Sequence, residues 1–268
     1  MSELLLRAGE WDAVTPQSAG WSHLSFGVVR APFAGEARGM EVALVVLGGR
    51  CTVEADGERW ELGARASVFD GMPWALYLPL GSSYRVEGDA EVAVCGAQCE
   101  RAREPVLVQP EDVEIEVRGA GNATRQINHI VKPEFPAERL LVVEVFTPAG
   151  NWSSYPPHKH DEDHPPGEVV LEETYYFRTR DPAAFAVQRL YSPSRGLDLT
   201  ATVRDGDLLL VPFGYHTTAA AHGYDLYYLN ALAGERRSMA AADDPALAWT
   251  RAAWASMETD PRVPMVTL

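Results

Sequence analysis

Turn-forming residues divide this chain into short apolar runs, and their spacing is the strongest constraint on its fold. Gly, Pro or Asp-Gly interrupts the sequence about every 8 to 12 residues, the rhythm of a β-sandwich or β-barrel. The runs between them, such as EVALVVLGG, RLLVVEVFTP and DLLLVPF, are rich in Val, Leu and aromatic residues. ADG at 55–57 predicts a tight hairpin turn. We therefore expect an all-β protein with few short helices.

One helix is predicted near the C-terminus, in DDPALAWTRAAWASM at 243–257. Asp243 or Asp244 would cap it, and Pro245 would occupy its first turn. Elsewhere the helix signals are sparse, which supports the all-β assignment.

The two halves of the chain repeat one pattern. LGARASVFDGMPWALYLPLGSSYRV and DLTATVRDGDLLLVPFGYHTTAA each contain a strand, a turn, a second strand and a Pro-x-Gly turn. After that turn the second copy has His216, whereas the first has Tyr84. The segment 103–128 contains Pro and Gly and resembles a linker. We predict a duplicated β-domain, with residues 1–118 lacking metal ligands and residues 119–268 carrying a metal site.

The overall charge limits the partners of the protein. Its 268 residues include 38 acidic and 23 basic side chains, for a formal net charge of −15. Such a surface repels nucleic acid and anionic membranes. The odd number of cysteines, 3, favours free thiols in a reducing compartment. With no signal peptide or membrane-spanning apolar stretch expected, we predict a cytoplasmic protein.

The sequence HKH at 158–160 is the clearest site motif. On a β-strand, alternation would place His158 and His160 on the same face. With a carboxylate from the next strand, Glu172 or Glu173, these imidazoles would form a mixed nitrogen and oxygen site for a divalent transition metal. His216 offers a third imidazole.

These motifs together resemble the two-part pattern of the cupins, which are small antiparallel β-barrels of the jelly-roll type. The first part would comprise Gly150, His158, His160 and Glu173, and the second Gly206, Pro212, Gly214 and His216. The resemblance implies two cupin barrels in one chain and a metal bound by His158, His160, Glu173 and His216. It favours Glu173 over Glu172 as the ligand. The gap between the histidines and the glutamate is longer than usual, which implies a loop insertion at DEDHPPGE.

A closer resemblance covers residues 119–237. The strings GNWSSYPPHKHD, LEETYYFR, QRLY, DGDLLLVPFGYH and GYDLYYLNALAG resemble the 5-deoxy-glucuronate isomerases of myo-inositol breakdown, bicupins related to the ketol-isomerases of pectin breakdown. This resemblance implies isomerisation of the aldose 5-deoxy-D-glucuronate to the ketose 2-deoxy-5-keto-D-gluconate. It also implies one divalent metal, for which Zn, Mn, Fe and Ni would all suit the donor set.

An isomerase of this kind needs further groups around the metal. A base must move a proton between two carbons, and Glu172 and Tyr176 are the sequence candidates. A cation must hold the substrate carboxylate, for which Arg is better suited than Lys. The predicted substrate-binding residues are Arg125, Arg178, Gln188, Arg189, Tyr191, Tyr228 and Asn230.

Two other functions remain open from the sequence. Three histidines and a glutamate also suit Fe(II) and O2, so a cupin dioxygenase is the alternative enzyme, and O2 consumption would distinguish it. The alternative that is not an enzyme is a bicupin that binds a sugar acid without catalysing a reaction. In each case we expect a small sugar acid as the ligand, no nucleic acid or membrane partner, and a homo-oligomer of two or more chains.

Overall fold

The computed structural model describes residues 4–268, in which the short apolar runs form antiparallel strands. The strands up to residue 108 are β1 (Leu5–Leu6), β2 (Ala13–Val14), β3 (Leu24–Arg30), β4 (Phe33–Glu36), β5 (Met40–Gly48), β6 (Arg50–Ala55), β7 (Glu58–Gly63), β8 (Ala75–Leu78), β9 (Ser83–Gly88), β10 (Glu91–Gln98) and β11 (Val106–Val108). The later strands are β12 (Glu114–Arg118), β13 (Arg125–Val131), β14 (Leu140–Thr147), β15 (Trp152–Lys159), β16 (Glu172–Thr179), β17 (Ala186–Ser192), β18 (Leu197–Val203), β19 (Leu208–Val211), β20 (Tyr215–Ala220), β21 (Leu226–Ala233) and β22 (Ala242–Asp243).

Helical structure is limited to single turns. The α-helices are α1 (Pro16–Ala19) and α2 (Trp249–Ala253), and the 3₁₀ turns are Pro110–Asp112, Gly121–Ala123, Pro193–Arg195 and Trp254–Ser256. The helix predicted from residue 243 begins only at Trp249, because Asp243 is part of strand β22. In the described part of the chain, no helix has the length and apolar character needed to cross a membrane.

The strands form four sheets, arranged as two similar pairs. In the first half, the sheet β11-β8-β5-β10-β3-β2 faces the sheet β4-β9-β6-β7 across an apolar core. In the second half, the sheet β1-β19-β16-β21-β14-β13-β12 faces β18-β17-β20-β15-β22 across another. The order β8-β5-β10-β3 recurs as β19-β16-β21-β14, and β4-β9-β6-β7 recurs as β15-β20-β17-β18. The predicted all-β fold with two cupin-type barrels is confirmed.

The larger sheets of the two halves pack against each other. The core between them contains Leu24 and Phe26 from the first half and Leu140, Tyr176 and Tyr227 from the second. Burial of this apolar area joins the two barrels.

The local turn predictions have mixed outcomes. Asp56 and Gly57 connect β6 and β7 with positive φ angles of 49° and 89°, as the predicted hairpin requires. The segment 103–128 is not a bare linker, because β11 pairs with β8 and β12 pairs with β13. The pairing of β12 with β13 places β12 in the sheet of the second half. The domain boundary after residue 118 stays a prediction.

Two glutamates, the buried Glu41 and the half-buried Glu172, each bind the backbone of the other half. Glu41, at the start of β5, accepts hydrogen bonds from the backbone N–H groups of residues 138, 139 and 140 at distances of 2.7, 2.6 and 2.7 Å. Glu172, at the start of β16, accepts bonds from the backbone N–H groups of residues 22, 23 and 24 at 2.5, 3.0 and 2.8 Å. Because β5 and β16 hold the same place in the repeated strand order, the two glutamates are equivalent positions of the duplicated fold.

Replacing Glu41 with Ala should destabilise the junction between the barrels. The substitution leaves buried N–H donors without acceptors and removes charge-assisted hydrogen bonds, so we expect the free energy of unfolding to fall by about 3 kcal/mol. Urea unfolding at 25 °C measures the change. Glu36→Ala, which removes an exposed pair with Arg38, is the control and should have little effect. Equal stabilities of the two variants would contradict the role assigned to Glu41.

Candidate metal and substrate site

The four predicted ligands lie at one end of the second barrel. His158 on β15 and His216 on β20 belong to the five-stranded sheet, and His160 follows β15 directly. Glu173 on β16 reaches them from the facing seven-stranded sheet. The Nε2 atoms of His160 and His216 lie 2.9 and 3.1 Å from Oε2 of Glu173.

The potential ligand atoms of His160, Glu173 and His216 lie within 4.8 Å of one another, and all three residues are buried. His158 falls outside that group, although its ring centroid is 4.6 Å from that of His216 and 6.5 Å from that of His160. The structure therefore brings three of the four predicted ligands together, with the fourth imidazole beside them.

Backbone carbonyls orient the histidine rings toward Glu173. Nδ1 of His160 is 2.9 Å from the Leu171 carbonyl oxygen, and Nδ1 of His216 is 3.1 Å from the Gly214 carbonyl oxygen. Because a carbonyl oxygen only accepts, each Nδ1 carries the proton in the neutral ring, and each Nε2 has its lone pair free. Metal-binding histidines are held in this same way.

The unpaired atoms of this cluster fit a bound cation. In the neutral rings, the Nε2 lone pairs of His160 and His216 face a carboxylate oxygen, which is repulsive unless a positive charge lies between them. The buried Nε2 of His216 makes no hydrogen bond within residues 4–268. Two imidazoles and a carboxylate are the donor types that Zn²⁺ and similar ions prefer. The residues present therefore fit a divalent transition metal.

Without a metal, electrostatics favours an ionised Glu173 and a neutral His158, whereas the contact with Glu173 outweighs burial and raises the pKa of His160. Burial raises the pKa of Glu173, but the neighbouring His160 and His216 outweigh this effect and lower it to about 2. Burial and the adjacent His216 hold the pKa of His158 well below its usual value. An ionised carboxylate and a neutral imidazole are the protonation states required for metal ligation.

A cavity of about 610 Å³ opens onto the cluster. His158, His160 and Glu173 form part of its wall, together with apolar side chains that include Leu171 and Met239. The other charged residues of the wall are Arg118, Arg125, Asp243 and Arg251.

Arg125 differs from the other arginines of the cavity. Arg118 pairs with Glu116, and Arg251 pairs with Asp243. Arg125 is buried, its Nη1 donates to the carbonyl oxygens of residues 123 and 155, and it forms no ion pair within residues 4–268. Burial lowers the pKa of Arg125 to about 10, so it remains charged at neutral pH. The cavity thus contains a buried cation without an internal counter-ion.

Other predicted substrate-binding residues lie inside the barrel but do not line this cavity. The Tyr228 hydroxyl is 2.5 Å from Oγ of Ser153. The Asn230 amide donates to the Thr174 carbonyl oxygen at 3.0 Å. Gln188 is buried, and its amide has no hydrogen-bond partner within the described residues.

Both predicted candidates for the base lie outside the cavity. Glu172 faces the first half of the chain and binds its backbone N–H groups. The Tyr176 ring lies 5.7 Å from that of Phe26 and 6.0 Å from that of Trp11 in the core between the halves. The alternation of β16 points these side chains away from Glu173, so a catalytic role does not fit either position.

Three further predicted substrate-binding residues are also elsewhere. Their side chains pair with acidic residues of the protein: Arg178 with Glu91 and Asp205, Arg189 with Asp198, and Tyr191 with Asp244. Arg118, Asp243 and Arg251 also line the cavity, but no sequence pattern predicted a site role for them, and Asp243 was singled out only as a helix cap. Their place in the cavity depends on contacts between distant segments.

In the part of the first half that the structure describes, no equivalent of this site is present. His158 pairs with His216 in the second half, whereas the equivalent pair in the first half is Gly35 and Tyr84. A Cβ atom at Gly35 would overlap the Tyr84 hydroxyl, so the tyrosine fills the space of the missing imidazole. By the same register, Ala37 and Val42 occupy the positions of His160 and Glu173, and both are buried in an apolar core.

Taken together, the sheets define a bicupin, and within residues 4–268 one group of side chains that could hold a metal ion lies in its second barrel. Residues 5–250 match the model of the KduI/IolB family. The chain belongs to this family.

Curated and solved relatives agree with that assignment. The chain is 44% identical to 5-deoxy-glucuronate isomerase of Geobacillus kaustophilus over 244 residues, which is 88% of each chain. It is 37% identical to the protein of the same name from Bacillus subtilis strain 168, over 88% of this chain and 90% of the relative. The crystal structure of an IolB-like protein of Salmonella typhimurium LT2 aligns with a TM-score of 0.88 and 35% identity, covering 92% of this chain and 99% of the other.

A more distant similarity concerns the fold alone. Oxalate decarboxylase of Lactobacillus farciminis, solved as a formate complex, aligns with a TM-score of 0.60 at 12% identity, over 91% of this chain and 89% of the other.

Adjacent glutamates provide a direct test of the metal site. Glu173→Gln should remove most of the bound metal, because it replaces the only carboxylate of the described cluster with a weaker amide ligand. Glu172→Gln, one residue away on the opposite face, should retain it. Elemental analysis of the two purified variants beside wild type measures the metal content. Metal loss in the Glu172 variant alone would reverse the assignment of the two residues.

Proposed function

We propose that this protein is a metal-dependent aldose–ketose isomerase that converts 5-deoxy-D-glucuronate to 2-deoxy-5-keto-D-gluconate in myo-inositol catabolism. The observation that carries the proposal is a single cavity with two features. Its wall contains residues that could hold a metal ion and, apart from them, the buried Arg125, which has no ion-pair partner within residues 4–268. A sugar acid has the complementary groups, namely a carbonyl and hydroxyl at one end and a carboxylate at the other. The curated relatives named 5-deoxy-glucuronate isomerase support this substrate.

In this proposal His158, His160, Glu173 and His216 hold one divalent ion, and Zn, Mn, Fe or Ni would each suit these donors. Such an ion supplies Lewis-acid polarisation of a carbonyl and stabilises the negative charge that develops during enolisation. The protein residues keep the donors deprotonated and oriented, through the carbonyl contacts of His160 and His216.

Arg125 would bind the substrate carboxylate. Its Nη1 is occupied by backbone carbonyls, while Nε and Nη2 make no hydrogen bond within residues 4–268. This free edge of the guanidinium matches the two oxygens of a carboxylate. Transfer of the anion into the cavity also neutralises a buried charge, which favours binding.

We further propose a cytoplasmic homo-oligomer. The three cysteines are free and buried, which suits a reducing compartment. Trp152 and Val187 are exposed and lie on either side of Ala219 in one cross-strand row on the outer face of the five-stranded sheet. An exposed apolar row of this kind favours contact with a second copy.

The proposal predicts isomerisation of 5-deoxy-glucuronate by wild type and its loss when a chelator removes the metal. Activity should return when a divalent ion is restored, and turnover should proceed without O2. Product formation measured anaerobically tests these expectations. Turnover that requires O2 would favour the dioxygenase, and ligand binding without turnover would favour a binding protein.

Replacing Arg125 with Lys should separate substrate binding from metal binding. Lysine keeps the charge but loses bidentate contact, so we expect KM to rise at least about tenfold, the equivalent of ~1.4 kcal/mol, with the metal content unchanged. Steady-state kinetics and elemental analysis measure both quantities. Arg189→Lys, at an exposed position outside the cavity, is the control. An unchanged KM in the Arg125 variant would contradict the carboxylate assignment.

A further inference from the structure

The cavity contains a second carboxylate that the metal cluster does not use. Of the acidic residues in the described part of the chain, only Glu173 and Asp243 line the cavity. The Asp243 side chain is 17% exposed, so it is shielded but accessible from the cavity. Since Glu173 is assigned to the metal, Asp243 is the carboxylate that remains for chemistry on the ligand.

Strand pairing places Asp243 next to the metal cluster. On β15, His158 lies opposite His216 of β20 on one side and opposite Asp243 of β22 on the other. Side chains directly opposite in antiparallel strands share a face, with Cβ atoms about 5 Å apart. The three residues therefore form one row, with Asp243 next to His158 and His216 on the other side of it.

Arg251 holds this carboxylate in place. Its Nε and Nη2 donate to Oδ2 and Oδ1 of Asp243, each at 2.6 Å. The fork contact orients the group, while each oxygen keeps a second lone pair. An oriented carboxylate at the edge of a cavity is suited to accept a proton.

Other proton-transfer groups near the cluster are occupied by protein contacts or, like His158, assigned to the metal. Nε2 of His160 and of His216 faces Glu173. The Tyr175 hydroxyl is 2.9 Å from Oγ of Ser154 and does not line the cavity, and burial holds the pKa of Tyr175 well above its usual value. These contacts leave Asp243 as the candidate.

We propose that Asp243 is the catalytic base that moves the proton between the two reacting carbons, an assignment that rests on the proposed isomerase function. Its carboxylate takes the proton from C2, the C2–H electron pair becomes a C1=C2 double bond, and the C1=O π pair moves to O1. The protonated Asp243 then returns the proton to C1, where the C=C pair forms the new C–H bond. O2 gives up its proton as C2=O forms, and O1 gains one, so no oxidant or reductant is needed.

The test compares Asp243→Asn with Asp198→Asn. The amide keeps the shape of the side chain but cannot accept the proton, so kcat should fall at least about 100-fold. Metal content and substrate affinity, measured by elemental analysis and calorimetry, should stay close to those of wild type. Asp198 also pairs with an arginine in a two-bond contact, at 3.0 and 2.9 Å, but outside the cavity, and its variant should keep full activity.

Two results would overturn the inference while leaving the proposed function intact. One is an Asp243 variant with near-normal kcat, and the other is an Asp243 variant that loses metal or substrate binding along with activity, which would make the residue structural. A wild-type protein inactive on 5-deoxy-glucuronate would instead contradict the proposed function, and this inference with it.

Discussion

The site depends on one electrostatic constraint, the burial of the Glu173 carboxylate. A buried negative charge is costly unless positive groups and hydrogen bonds surround it. Here two imidazole nitrogens lie 2.9 and 3.1 Å from one of its oxygens. Because the Nδ1 atoms of His160 and His216 face backbone carbonyls, each neutral ring presents a lone pair to the carboxylate. A divalent cation would resolve this arrangement, and the adjacent cavity would let a ligand reach it.

Strand alternation gives neighbouring glutamates two different tasks. Glu173 faces the barrel interior and the histidines, while Glu172 faces the other half of the chain and binds its backbone. Glu41 repeats the contact of Glu172 from the opposite half. One strand thus carries both a contact that stabilises the junction between the barrels and the carboxylate proposed as a metal ligand. In the first barrel, Val42 holds the place of Glu173, so the junction is duplicated and the metal site is not.

Local patterns in the sequence predict the parts of the site that depend on one strand at a time. The HKH motif predicted His158 and His160 side by side, the resemblance to the cupins favoured Glu173 over Glu172, and the turn rhythm with the repeated pattern predicted two β-domains. Asp243 could not be placed in this way, because its position depends on pairing between β22 and β15, more than 80 residues apart. Tyr176 was wrongly expected near the substrate because the sequence does not reveal that the opposite face of β16 is covered by the first barrel.

The central claim is that His160, Glu173 and His216 hold a metal ion, with His158 completing the set. Anomalous diffraction from crystals of the wild-type protein, recorded at the absorption edge of the metal it contains, tests this claim most directly. The account predicts one peak per chain, about 2.0–2.2 Å from Nε2 of His160, Nε2 of His216 and a Glu173 oxygen. A peak elsewhere, or none in protein that isomerises its substrate, would contradict it.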